Sequence, residues 1–229
     1  SSTQPTLAQT ENQPKIQEPD FSNAILRLED LPAGFELLSG NDLSRMESAL
    51  DIWRGAMSGK SEVTMVNVTG FRNNSQVIIS ALVTQLSSLE QIEIDLAFSN
   101  PDTAIQQLGE GLGSGETARL TGYNDIGVTS IGFTASTLGF RIEYVVARRG
   151  PVLIEVANLY PEEGQPLANT IELARLLDDR VAEVVGREST TTFRPAGPYI
   201  PELTTYIPTP LDISTQPSVI GTNLFLAAL

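Results

Sequence analysis

Between Val128 and Tyr160 the chain reads VTSIGFTA, FRIEYVVARR and PVLIEVANLY, three β-branched runs separated by short turns, and ARLTGY just upstream reads the same way. Four such segments, joined by turns containing Gly or Asn, predict an antiparallel meander. Arg148-Arg149-Gly150-Pro151 is the tight turn between the last two. A long helix then runs from about Leu167 to Val185. It places Ile171, Ala174 or Arg175, Leu177 or Asp178, and Val181 on or near one face and closes at Gly186.

The upstream half supplies the rest of the fold. From Phe21, AILRLEDLPAGFELL is apolar at Ile25, Leu26, Leu28, Leu31, Phe35, Leu37 and Leu38, while Pro32 and Gly34 forbid one long helix. This predicts a short segment and a turn leading into a strand. Asn41 or Asp42 caps a helix to about Met57, with Leu43, Met46, Leu50 and Trp53 at helical spacing and Trp53 placed in the core. Glu62 to Phe71 and Gln76 to Leu86 read as strands joined by the hairpin-sized link Arg72-Asn73-Asn74-Ser75. Ser87 and Glu90 have capping-box spacing before a helix carrying Leu89, Ile92 or Glu93, and Leu96. Asn100-Pro101 starts a second helix, running to about Leu108 and ended by the glycine-rich run Gly109 to Gly115.

Helices and strands thus come in blocks rather than in strict βαβ alternation, which argues for a single α+β domain over residues 21 to 188 with an antiparallel sheet. The expected strands are Val63 to Phe71, Val77 to Leu86, Gly127 to Thr134, Phe140 to Arg148 and Val152 to Asn158. Residues 1 to 20 are rich in Ser, Thr, Gln and Pro and read as a polar linker. Residues 189 to 218 hold six prolines with almost no apolar period and read as an extended, semi-rigid stalk. Val219 to Leu229 is apolar apart from Gly221 to Asn223. Its 11 residues fall short of the ~20 that cross a bilayer, so the segment is expected to be the start of a transmembrane helix that continues beyond Leu229.

Charge and composition narrow the partners. The 229 residues carry a formal net charge of −14, and only Lys15 and Lys60 supply ammonium groups. Such a chain is ill suited to neutralising a run of phosphates, so no nucleic-acid partner is expected. An anionic membrane surface would also repel it, and membrane association is expected through the C-terminal hydrophobic segment. The absence of Cys and His removes thiol and imidazole catalysis and Cys/His zinc sites.

The run from Gly127 to Gly186, with GFRIEYVVARRGPVLIEVANLY followed by ELARLLDDRVAEVV, resembles the C-terminal half of bacterial extracytoplasmic sensor-like and lipoprotein domains of the PsbP/LpqN type. LEDLPAGFEL at Leu28 to Leu37 is similar to the way such domains begin. The resemblance covers about two thirds of the chain and implies an α/β/α sandwich, export and tethering, in families many of whose members lack known catalysis. It carries over no ligand-binding residue. The proline-rich C-terminal stalk departs from the pattern and suggests a C-terminal anchor in place of a lipidated N-terminal Cys.

Chemical motifs fail on spacing. Gly59-Lys60-Ser61 lacks the preceding P-loop glycine, where Arg54 stands, and GEGLGSG has Ser114 where a dinucleotide fingerprint needs its third glycine. Glu90, Glu93 and Asp95, like Glu162 and Glu163, read as solvated faces of helices or turns, and Asp178-Asp179 lacks calcium-loop spacing. Asn67 and Asn73 begin N-glycosylation sequons. Arg148-Arg149 reads as a solubilising turn. No catalytic residue, metal site or cofactor is assigned. The expectation is a non-catalytic extracytoplasmic binding or sensor-like domain of a membrane-anchored protein, recognising an unknown protein or small-molecule ligand at a shallow apolar groove. The alternatives are a carboxylate-dependent hydrolase, with Lys60 and a neighbouring Ser as a second enzymatic option, or a purely structural spacer.

Overall fold

A computed structural model describes residues 19–38, 40–44, 67–111 and 116–186. The stalk, the C-terminal apolar segment, most of the N-terminal linker, the helix residues 45–57 with Trp53, the start of the expected Val63 to Phe71 strand, Gly59-Lys60-Ser61 and residues 112–115 with Ser114 lie outside the described residues.

Among the described residues, seven antiparallel strands form one sheet. They are β1 (Glu36–Leu37), β2 (Asn67–Arg72), β3 (Val77–Val83), β4 (Glu116–Arg119), β5 (Thr129–Thr137), β6 (Phe140–Arg149) and β7 (Val152–Pro161). Their spatial order is β1-β2-β3-β7-β6-β5-β4. Among the described residues, the α-helices α1 (Ser88–Phe98), α2 (Pro101–Gly111) and α3 (Thr170–Val185) pack on it, a 3-10 turn spans Leu28–Asp30, and residues 41–44 are helical. The protein is therefore an α+β domain with an antiparallel sheet.

The sheet is covered on both faces, which explains why VIISALV and VLIEVANLY are nearly all apolar instead of alternating. On one face Ile79, Phe133, Tyr144 and Val146 pack with Phe98 of α1 and Ile105 and Leu108 of α2. On the other, Ile78, Val145, Ile154 and Val156 pack with Leu173, Leu177 and Val181 of α3 and with Phe21, Leu26 and Phe35 of the N-terminal segment. Helices thus lie on either side of the sheet, an α/β/α layering.

Local chemistry sets the boundaries. The Ser87 hydroxyl accepts from the Glu90 amide while the Glu90 carboxylate accepts from the Ser87 amide, closing the expected capping box at the start of α1. α3 begins at Thr170, three residues later than its apolar period suggests. The Asn169 side chain caps it by accepting from the amides of Ile171 and Glu172, so Leu167 stays in the preceding loop. β3 stops at Val83 rather than Leu86 because Gln85 turns to positive φ. α2 continues past Leu108 and Gly109 to Gly111. ARLTGY contributes only its first residues to the sheet: β4 ends at Arg119, and the chain turns at Gly122, where φ is +87°. The Tyr123 ring then lies over Gly132 of β5, where a Cβ would come within 2.7 Å of Cδ1. At the other end of the meander, Gly150 with φ +55° permits the two-residue Gly150-Pro151 turn between β6 and β7.

Candidate functional site

Arg148 and Arg149 are not a solubilising turn. They are the last two residues of β6, and side chains of successive strand residues point to opposite faces. Both faces are covered, so both guanidinium groups are drawn inside. Arg148, 1% exposed, donates through Nε and Nη2 to the two carboxylate oxygens of Asp95 in α1, at 2.8 and 2.6 Å. Its Nη1 reaches the Gly150 carbonyl at 2.9 Å. Arg149 forks onto Asp178 of α3 through Nε at 2.5 Å and Nη2 at 2.7 Å. Asp178 also accepts from the Gly127 amide at 2.9 Å. Hydrogen bonding to Asp178 holds the Arg149 pKa above its ordinary value. Asp95 is accordingly not simply part of a solvated face.

The same device fixes the remaining layers. Arg180 of α3 forks onto Asp30 at 2.8 and 2.6 Å and also donates to the Ile25 carbonyl, fastening the N-terminal segment. Burial pushes the Asp30 carboxyl up, but the Arg180 guanidinium and the Arg27 amide outweigh it and hold the group below its ordinary range. Arg175 forks onto Asp125 in the loop before β5, and hydrogen bonding to Arg175 lowers the Asp125 pKa.

A second polar cluster lies where β3, β6 and β7 meet the start of α3. Gln76, Asn158 and Thr170 are fully buried. Gln76 Nε2 donates to Asn158 Oδ1 at 2.7 Å and Gln76 Oε1 accepts from the Leu167 amide. Asn158 Nδ2 donates to the Ala168 carbonyl and to Thr170 Oγ1. The chain of bonds ends on Glu143, whose two oxygens accept from Thr170 Oγ1 at 2.6 Å and the Tyr160 hydroxyl at 2.7 Å. Burial first, then the Glu143 carboxylate, pushes the Tyr160 phenol up to about 12. The Tyr160 hydroxyl therefore keeps its proton at neutral pH and donates it in the bond to Glu143. The cluster anchors the α3 N-terminus.

Of the other carboxylates, Glu162 and Glu163 are exposed in the turn after β7, as expected. Glu93 is half-exposed, and Glu90 serves the capping box. No cluster of three metal-ligating side chains occurs among the described residues. At the Asn73 sequon the side chain folds back on its own turn. Its carbonyl accepts from the Ser75 amide at 2.9 Å, and the amide nitrogen that a glycan would modify is buried. Asn67 is half-buried in β2.

The outward apolar surface is concentrated on α1, where Leu89, Ile92 and Leu96 are 58%, 36% and 59% exposed. Sequence reasoning placed Leu89 and Leu96 on one helical face but did not establish whether it faces the sheet; Asp95 and Gln91, bonded to the Arg148 and Leu86 side, decide that it does not. The buried Gln76 and Asn158 and the half-buried Glu143 are likewise absent from the sequence reading as site residues. Their signal is a polar residue inside a strand whose neighbours are apolar on both alternations. No protein-family model matches this sequence, and no curated protein matches it.

Proposed function

We propose that this domain is a non-catalytic binding or sensor-like module on the extracytoplasmic side of a membrane, presented on the proline-rich stalk at residues 189 to 218 and anchored from about Val219. The observation that carries the reading is the use made of the acidic side chains. Asp30, Asp95, Glu143 and Asp178 each take donors on both carboxylate oxygens and hold one layer of the fold against another. A glycosidase-type site needs two carboxylates facing one cleft, whereas Asp95 and Asp178 lie on opposite faces of the sheet. A rigid scaffold with outward apolar residues suits recognition, and an extended spacer suits a domain that meets its partner away from a surface.

The test uses the full-length protein in intact cells, with protease added outside. Cleavage near Thr6, together with recovery of the protein in the membrane fraction, is the expected result. Protection of that segment, or a soluble full-length product, would overturn the anchored reading. A hydrolase activity that survives purification to homogeneity would overturn the non-catalytic one.

A further inference from the structure

We infer that the outer face of α1 is a docking surface for a basic amphipathic helix of another protein. Leu89, Ile92 and Leu96 follow one another at steps of three and four, so they form one line along the helix. A helix free to roll would turn these residues inward, since burying apolar side chains is favourable. α1 cannot roll. Arg148 grips Asp95 at the flank with two hydrogen bonds, while on the side away from the line Gln91 donates to the Leu86 carbonyl at 2.9 Å and Phe98 is buried against the sheet. The rotational setting of α1 is thus held by a buried guanidinium, and its consequence is an apolar stripe kept in water, the mark of a contact surface.

The charges beside the stripe select the partner. At about 3.6 residues per turn, Glu93 lies on one side of the line and Asp95, 42% exposed despite its pair, on the other, while Glu90 turns back onto Ser87. Neither SLEQIEIDLAF nor PDTAIQQLGEG contains a cation; α2 adds the exposed Glu110, while its Asp102 is paired with Arg119 of β4. An apolar stripe bordered by carboxylates complements a helix with an apolar face flanked by Lys or Arg. The proposal deepens the binding-module reading but stands apart from the membrane anchor, because it is measured on the purified chain.

The probe is an 18-residue amphipathic Leu/Lys peptide, titrated by fluorescence anisotropy alongside a scrambled peptide of the same composition. Binding of the amphipathic peptide at least tenfold tighter than the scrambled one is expected. The Leu89→Gln/Leu96→Gln variant should weaken it at least tenfold with an unchanged circular dichroism spectrum. Glu93→Gln should weaken it about threefold and flatten its salt dependence. Leu138→Gln, at an exposed hairpin tip remote in sequence, should leave it unchanged. Equal binding of both peptides, or equal losses in the α1 and Leu138 variants, would overturn the proposal. So would a dimer of the protein alone that the α1 variant abolishes, since that would assign the stripe to a second copy. These results leave the protease-accessibility outcome untouched, so the two readings fail separately.

Discussion

Arg148 and Arg149 are consecutive in β6, yet the first is clamped by Asp95 of α1 and the second by Asp178 of α3, on opposite faces of the sheet. One dipeptide therefore ties both helical layers to β6. The two pairs differ in what removal would leave behind. Asp95 keeps 42% of its side-chain surface in water and can be hydrated; Asp178 keeps 6%. Arg149→Met should cost about 3–5 kcal/mol because a buried carboxylate loses its counter-charge. Arg148→Met should cost about 1–2 kcal/mol. The double variant Arg149→Met/Asp178→Leu should recover most of the larger loss. Urea denaturation midpoints would decide, and an equal cost for the two single variants would contradict the asymmetry.

The α3 layer offers a direct comparison of buried and exposed leucines. Leu177 and Val181 are both 0% exposed against the sheet. Leu177→Ala should cost on the order of 2–5 kcal/mol and Val181→Ala on the order of 1–4 kcal/mol. Leu89→Ala on the outer face of α1 should change stability by less than about 0.5 kcal/mol. Near-neutral effects at Leu177 and Val181 in the same melts would mean that α3 contributes little to the core.

The β5–β6 hairpin contains a removable strain. Leu138 and Gly139 are its two central residues, with φ of +51° and +82°, and Leu138 is 68% exposed. A two-residue hairpin turn with positive φ at both positions favours Asn-Gly, and an L-residue such as Leu is disfavoured there by about 1–2 kcal/mol. Leu138→Asn should therefore raise stability by about 0.5–1 kcal/mol, since no buried packing is lost. A lowered thermal midpoint would show that Leu138 makes a contact that offsets its backbone.

The antiparallel meander was legible because β-branched runs and turn residues act locally: FRIEYVVARR coincides with β6, and the Ser87–Glu90 pair marks the start of α1. Boundaries slipped where one side chain or one backbone angle overrides the apolar period, as Asn169 does for α3 and Gln85 for β3. The ion pairs were not legible. Asp95 and Arg148 are 53 positions apart, and an arginine pair beside a Gly-Pro turn looks solvated unless both faces of the sheet are known to be covered. The near-continuous apolar character of VIISALV and VLIEVANLY carried that information, and with it the burial of the two arginines. The outward facing of Leu89 and Leu96 follows from the same pairing, so it too lay beyond periodicity.

Tyr160 makes the stability depend on alkaline pH. Its hydroxyl donates to Glu143 at 2.7 Å, its side chain is 3% exposed, and its pKa is raised from 10.0 to about 12. The folded state thus holds the phenolic proton more tightly than the unfolded chain does. A raised pKa contributes stability that is complete below the unfolded value and is lost as pH climbs through the folded one. The window is therefore pH 10 to 12. On the order of 1 kcal/mol should be lost across it. Tyr160→Phe removes the ionisable proton, so the variant should lack this component while losing about 1 kcal/mol at neutral pH with the hydrogen bond. Urea midpoints of the two proteins measured from pH 8 to pH 12 should converge as pH rises. Parallel curves across that range would show that Tyr160 titrates alike in the folded and unfolded chains, and the Glu143 contact would then contribute nothing to holding the proton.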